Sequence, residues 1–236
     1  MADDIIYAIG DVHGEAEMLD KLHAAIFARH EREHPRARLK LIHLGDYIDR
    51  GPDSCGVIET LMKLEGRDDV EVVNLRGNHE QMMLDAYEDG ASHNGARMHW
   101  LMNGGDATLE SYAHRGFEDP PQSHMQWLHQ LPSLYLENER KIAFVHAGVD
   151  PKSFPNCDRR IHLWSRSPRF YDPTRWDNGE LKGWQVVHGH TPTKDFEPQA
   201  AGAPARRFNL DTGAVYGGQL SAGIFAPGKE VEFLSV

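Results

Sequence analysis

The chain is poor in cysteine, with two in 236 residues, Cys55 and Cys157. Two such distant thiols make neither a disulfide framework nor a CxxC metal pattern, and they fit a reducing compartment. Basic charge is scarce as well: 25 Lys+Arg stand against 36 Asp+Glu, a formal charge of -11. Nucleic acid and anionic membranes both call for a basic surface, so neither is expected as a partner. No apolar run approaches the ~18 residues of a membrane helix, and Met1-Ala2-Asp3-Asp4 lacks the positive charge of a secretory leader. The expectation is a soluble cytoplasmic protein. Internal repeats, linker-like tracts and low-complexity segments are also missing, so residues 1–236 are read as a single domain. Hydrophobic residues at 40% and aromatics at 9% are enough for a core and exclude a largely disordered chain.

What is present begins as an alternation of strand and helix. Residues 5–9 are a short apolar run ending in Gly10-Asp11, after which Met18, Leu22, Ala25, Ile26 and Arg29 recur at helical spacing until Pro35. Residues 39–44 form a second strand ending in Gly45-Asp46. Ser54 then stands where a helix cap belongs, before Val57, Ile58, Leu61, Met62 and Leu64, with Gly66 closing the helix. A third strand over 70–75 ends in Arg76-Gly77-Asn78-His79, and a helix follows over 80–87. This βαβαβα order predicts an α/β fold with parallel strands and right-handed crossovers. Beyond it, residues 90–131 read as interrupted helix (98–102, 108–112 and 124–131). Strands are predicted at 134–137, 142–146, 184–188, 206–211, 218–225 and 231–234. Residues 148–183, with Pro151, Pro155, Pro168 and Pro173, read as a long irregular stretch of the kind that is functional or disordered. Residues 192–205 read as a surface loop.

Position is the informative signal. Asp11 and His13, Asp46, Asn78 and His79, His146, and His188 and His190 each follow the C-terminal end of an apolar strand. Ligands of open α/β sheets collect at that edge. Asp11 to Asp46 is 35 residues and Asp46 to Asn78 is 32, each about one βαβ unit of roughly 30 residues, so these three return to the same edge. Mixed His/Asp/Asn donors favour Zn, Mn or Fe over Ca, and they outnumber what one ion needs. A carboxylate such as Asp46, lying between two donor groups, can bridge two ions. Taken singly, each motif has a plainer reading. Gly10–Gly14 can be a capped turn, Gly77–Glu80 a turn entering a helix, and His188-Gly189-His190 an exposed strand. Their ordered recurrence at strand ends is what outweighs those readings.

Three blocks resemble the signature of the phosphoprotein phosphatase family within the calcineurin-like metallophosphoesterases. They are Gly10-Asp11-Val12-His13-Gly14, Gly45-Asp46-Tyr47-Ile48-Asp49-Arg50-Gly51 and Gly77-Asn78-His79-Glu80. His146-Ala147-Gly148 and Gly189-His190-Thr191-Pro192 resemble its later ligand blocks. Residues 77–83, 100–105, 163–166 and 211–215 are similar to the bacterial and bacteriophage lambda phosphatase branch. The resemblance implies central mixed β-sheets flanked by helices, a βαβαβ metallophosphoesterase sandwich. It implies two divalent ions, Mn2+ first with Fe or Zn fitting the same donors. Asp11 and His13 would bind the first ion, Asp46 would bridge, and Asn78, His146 and His190 would bind the second. His190 is preferred to His188 because the family's ligand follows the glycine of that block. Pro192 stands where the wider superfamily often has another histidine.

The same resemblance gives Arg50 and Arg166 the phosphate oxygens, with Arg159, Arg160 and Arg169 as neighbours of Arg166 in the sequence. His79 would be the general acid and Asp49 its partner, against the plainer reading of Asp49 as a surface salt bridge to Arg50. The implied reaction is direct in-line attack of hydroxide on a phosphate monoester, without a phosphoenzyme; neither cysteine has the Cys-x5-Arg loop of a cysteine phosphatase. A bacterial-type Ser/Thr protein phosphatase, with tyrosyl or small phosphate esters as further substrates, is the leading expectation. The alternatives are a symmetrical diadenosine tetraphosphate hydrolase and a non-catalytic metal-binding module. Asp49-Arg50-Gly51 and Glu80 depart from the pattern of the former, and no expected group is missing, as it would be in the latter. Met98, Trp100, Leu101 and Met102 read as a core cluster rather than a substrate groove.

Overall fold

The computed structural model describes residues 4–88, 93–177 and 179–236. Residues 90–92 of the 90–105 segment and residue 178 of the 148–183 stretch therefore lie outside the described residues. In chain order the strands are β1 (Ile5–Ile9), β2 (Leu39–His43), β3 (Glu71–Asn74), β4 (Leu134–Glu137), β5 (Ile142–Val145), β6 (Gln185–His188), β7 (Gln199–Ala201), β8 (Arg207–Asn209), β9 (Ser221–Phe225) and β10 (Glu232–Ser235). The helices are α1 (Ala16–Glu33), α2 (Ser54–Glu65), α3 (Asn78–Tyr87), α4 (His93–Trp100), α5 (Asp106–His114), α6 (Gln122–Gln130), α7 (Arg159–Trp164) and α8 (Pro168–Tyr171).

Two five-stranded mixed sheets result, ordered β10-β9-β1-β2-β3 and β4-β5-β6-β8-β7. As predicted, β1, β2 and β3 pair in parallel through the α1 and α2 crossovers. Strands β9 and β10 extend that sheet in antiparallel sense. In the second sheet β5, β6 and β8 are parallel, with β4 and β7 antiparallel at its edges. The sheets face each other across Ile6, Ala8, Ile42, Leu44 and Leu75 on one side and Phe144, Val187, Phe208 and Leu210 on the other. Alternate residues turn outward: Ile5, Tyr7, Ile9 and Leu41 pack with Leu19, Leu22 and Ile26 of α1 and Val57, Ile58 and Leu61 of α2. Burial on both faces explains why β1 is an unbroken apolar run and β2 a largely apolar one, with Lys40 and His43 as its buried exceptions.

Three predictions from local pattern are corrected. Residues 192–205 are not wholly loop, since β7 pairs with β8 there; its small and polar residues sit at an exposed edge and carry no apolar alternation. Residues 148–183 contain α7, α8 and a tight turn over Pro173–Arg175. Pro168 and Pro173 start α8 and the turn, where a missing N–H costs nothing, and do not break them. Phe154, Phe170, Trp176 and Leu181 from this stretch cover the outer face of the second sheet beside Ala143, Val145 and Val186. The cap of α2 is Asp53, whose carboxylate accepts the Gly56 N–H at 2.9 Å. Ser54 turns its hydroxyl to the Asp49 N–H at 3.0 Å.

Under the first sheet, His23 of α1 and His43 of β2 face each other at 2.9 Å between Nε2 atoms. Burial lowers His23 to about 4 and holds His43 well below the ordinary histidine value. The folded pair thus binds fewer protons than the unfolded chain from about pH 6.5 down to about pH 4. Stability should fall as pH drops through that window. In urea unfolding at pH 5 and pH 7.5, the His23→Leu/His43→Leu variant should show a smaller loss at pH 5 than the wild type. An equal loss would refute this origin.

Candidate active site

The parallel strands of each sheet end at one edge, and there the loops are lashed together by backbone. Val12 and His13 donate their N–H groups to Asp46 O at 3.0 and 2.8 Å, and Gly14 donates to Tyr47 O at 2.8 Å. His146 Nδ1 donates to Leu44 O at 3.0 Å and so ties the second sheet to the first. With that proton assigned, His146 Nε2 carries a lone pair aimed into the site.

Around that nitrogen the acceptors crowd. Asn78 Oδ1 lies at 2.9 Å, His190 Nδ1 at 3.2 Å and Asp46 Oδ2 at 3.3 Å from His146 Nε2, while His190 Nδ1 and Asn78 Oδ1 are 2.8 Å apart. All four residues are buried. Burial works to lower His146, but the Asp46 carboxylate overcomes it and raises its pKa. Burial alone would raise Asp46, yet His146, His79 and His13 hold it well below the usual carboxylate range. The Nε2 of His190 is buried with no hydrogen-bond partner. A nest of lone pairs that draws in positive charge fits a divalent cation.

A second grouping lies on the other side of Asp46. The ligand atoms of His13, Asp46 and His79 all fall within 4.8 Å of one another. His13 Nδ1 donates to Ile48 O at 2.9 Å, which leaves Nε2 as acceptor, 3.5 Å from Asp46 Oδ2. The Arg50 guanidinium currently fills that lone pair at 2.6 Å. Asp11 is next to this grouping but outside it. Its carboxylate accepts the His190 N–H at 2.9 and 3.2 Å. Burial, then the Asp211 and Asp46 carboxylates, push Asp11 well above its ordinary value. Gly189 is required by this approach, since a Cβ there would lie 1.9 Å from Asp11 Oδ1.

Asp49 is no surface salt bridge. It is fully buried and accepts His79 Nδ1 at 2.7 Å, Trp100 Nε1 at 3.0 Å to both oxygens, and Thr108 Oγ1 at 2.6 Å. Burial pushes Asp49 up to about 8 and His79 down to about 4. The His79 ring meets the His13 ring edge-on at 4.7 Å. Arg166 is exposed, with Nε donating to Thr191 Oγ1 at 3.3 Å, beside the His190 loop. His188 is buried elsewhere: its Nδ1 and Nε2 meet Gly189 O and Arg207, both at 2.9 Å, and Phe170 and Tyr171 pack on its ring.

Sequence reasoning passed over Glu80 as a working part of the site. Fully buried, it accepts the N–H groups of Asp46 and Gly77 on Oε2 at 2.9 and 2.7 Å, and that of Tyr47 on Oε1 at 2.7 Å. One side chain thereby joins the second and third blocks. Trp100 was read as core, which its full burial bears out, but its N–H also serves Asp49; Met98 and Met102 are instead exposed at 58% and 79%. A backbone signal marks the site too. Of the seven non-glycine residues with positive φ among the described residues, five are His13, Asp46, Asp49, Arg50 and His190. Conformations of this kind cost about 1–3 kcal/mol each and gather where function holds them. A large cavity of about 710 Å³ lies at the far end of the sheets, near Arg140, Ile142 and Phe225, away from these residues.

Comparison with known proteins decides the family: the profile of calcineurin-like phosphoesterases matches residues 5–219. The chain belongs to that family. This phosphoesterase is 33% identical over 226 residues to serine/threonine-protein phosphatase 1 of Salmonella typhimurium, covering 92% of this chain and 89% of that one. It is 28% identical over 244 residues to an asymmetrical bis(5'-nucleosyl)-tetraphosphatase of Halalkalibacterium halodurans, covering 97% and 92%. Its fold matches a protein serine/threonine phosphatase from Saccharomyces cerevisiae with a TM-score of 0.64 at 18% identity, over 100% of this chain and 81% of that one. The phosphoesterase is therefore a hydrolase with the two-sheet metallophosphoesterase fold. No helix among its described residues is long and apolar enough to cross a membrane.

Proposed function

We propose that this phosphoesterase is a cytoplasmic, single-domain protein phosphatase that hydrolyses phosphoserine and phosphothreonine esters, with tyrosyl and small phosphate esters as further substrates. The observation that carries the reading is the buried Asp49–His79 pair, 2.7 Å apart, with the His79 ring turned toward His13 and Asp46. An imidazole so held can keep a proton on Nε2 and deliver it to a departing alkoxide. Asp49 fixes the ring through Nδ1, and Trp100 and Thr108 fix Asp49. Arg50 stands beside His13 and Arg166 beside the His190 loop, where guanidinium forks would grip the phosphate oxygens and stabilise charge during transfer. Asp11 and His13 would hold one divalent ion, Asn78, His146 and His190 another, and Asp46 would be shared. Bound there, Mn2+, or Fe or Zn in its place, would supply Lewis-acid polarisation and an activated water for in-line displacement.

Asp49-Arg50-Gly51 and Glu80 follow the phosphoprotein phosphatase pattern and depart from that of the symmetrical dinucleotide hydrolases, which supports the protein-phosphatase reading; Glu80 also has a structural task. Its length lets two oxygens reach three N–H groups on two loops, a span that a shorter aspartate would not cover. The identity to a bis(5'-nucleosyl)-tetraphosphatase keeps a dinucleoside polyphosphate as the second reading. The two separate in one assay. Protein stripped with chelator and reloaded with Mn2+ should turn over a phosphoserine peptide faster than bis(5'-adenosyl) tetraphosphate. Turnover of the dinucleotide alone would overturn the proposal.

A further inference from the structure

Beside Arg50 the surface opens into a cleft of about 390 Å³ that none of the roles above uses. One wall is Met102, Asn103 and Gly104, the other Val215 and Tyr216, and Arg50 is the floor. Met102 and Tyr216 are large apolar groups left 79% and 54% exposed, on an otherwise acidic chain. The cleft is built, not incidental. Arg50 N donates to Gly104 O at 3.0 Å, and Gly104, at φ 101°, has no room for a side chain because a Cβ would sit 2.7 Å from Arg50 Cγ. On the far wall, Tyr216 ends a tight turn (Ala214–Tyr216) flanked by Gly213 and Gly217, both left-handed. Its ring lies 5.8 Å from the Arg50 guanidinium carbon, within cation–π range.

We infer that this cleft is a leaving-group subsite for an aromatic ring esterified directly to the scissile phosphate. The inference rests on the reading above, in which Arg50 holds a phosphate oxygen. Arg50 belongs to both places at once: its NH1 is 2.6 Å from His13 Nε2, and its planar group also faces Tyr216. A group in the cleft would therefore lie beside the same guanidinium that would hold a phosphate oxygen, which favours a ring attached directly through the ester oxygen. A phenyl ring meets that condition. A nucleobase, set off by a ribose, does not, and a seryl side chain is too short to fill the space. The lining has no carboxylate, so a neutral ring can enter beside the dianion without repulsion. Met102 and Tyr216 would contact it by dispersion and ring packing.

The test uses the full chain reloaded with Mn2+ and three substrates: p-nitrophenyl phosphate, and two peptides that differ only in carrying phosphotyrosine or phosphoserine. Met102→Ala and Tyr216→Ala should each lower kcat/KM for both aryl esters roughly tenfold relative to the seryl peptide, chiefly through KM, as expected for a lost apolar contact. Tyr216→Phe keeps the ring, and Met98→Ala lies outside the cleft; both should leave the aryl-to-seryl ratio unchanged. A parallel fall on all three substrates would assign these residues to holding Arg50 and overturn the subsite, as would no fall at all. If the peptides are inert, β-glycerol phosphate replaces the seryl peptide as the reference: a selective fall on p-nitrophenyl phosphate keeps the subsite while the protein-phosphatase reading fails. If the peptides are hydrolysed and the ratio does not move, the reverse holds.

Discussion

His79→Asn should lose about 10²–10⁴-fold in kcat on a phosphoserine peptide, the usual contribution of a positioned general acid, while binding as much Mn2+ as the wild type. An alkoxide is a poor leaving group and needs its proton during bond cleavage. A nitrophenolate does not, so the same variant should lose far less on p-nitrophenyl phosphate. The fold should survive the change. Asp49 keeps the Trp100 and Thr108 hydrogen bonds, and burial that raises it to about 8 lets it take up a proton when its imidazole partner is gone. Metal content is the decisive companion measurement, because His79 also falls within reach of His13 and Asp46. Loss of an ion with the histidine would make it a ligand, and the acid assignment would fail.

Glu80→Ala should be the most damaging single change to stability among the residues of the site. It strands three buried N–H groups, those of Asp46, Tyr47 and Gly77. At about 1–3 kcal/mol for each unmet donor, the loss is on the order of several kcal/mol. A chain of this size shifts by roughly 2–4 °C per kcal/mol, so a fall in Tm of about 10 °C or more is expected. Metal affinity should fall with it, since Asp46 loses the anchor for its backbone. Glu80→Gln is the gentler probe: it keeps the length and one acceptor oxygen, and places an NH2 group where an acceptor is needed. It should remain folded with a Tm between the two. A Glu80→Ala protein within about 3 °C of wild type would show that the two blocks hold their shape unaided.

How far the site could be read from the sequence follows from where its information lies. Asp11 and Asp46 were legible because each follows a strand buried along its whole length, and such strands are rich in apolar residues; Asn78 follows the half-buried edge strand β3 and was placed by its spacing from Asp46. Parallel order then brings their ends to one edge. Strand β7 was not legible: at an exposed edge, Gln199–Ala201 needs no apolar face. Within 148–183, α8 and the turn over Pro173–Arg175 were hidden by the prolines that start them. Asp49 and Glu80 show a different limit. Their importance lies in partners contributed by other loops and helices, with Trp100 and Thr108 meeting Asp49 and both phosphatase blocks meeting Glu80. Residue spacing carries no trace of such reach. The positive φ values of His13, Asp46, Asp49, Arg50 and His190 were equally invisible, since none is a glycine.

The most direct measurement is an anomalous difference map at the Mn edge from crystals soaked in Mn2+ and phosphate. Two peaks are expected on either side of the Asp46 carboxylate, one contacting His13 and Asp11, the other Asn78, His146 and His190, with the His79 ring touching neither. A single peak held by His13, Asp46 and His79 would contradict the dinuclear site and the role of His79 together.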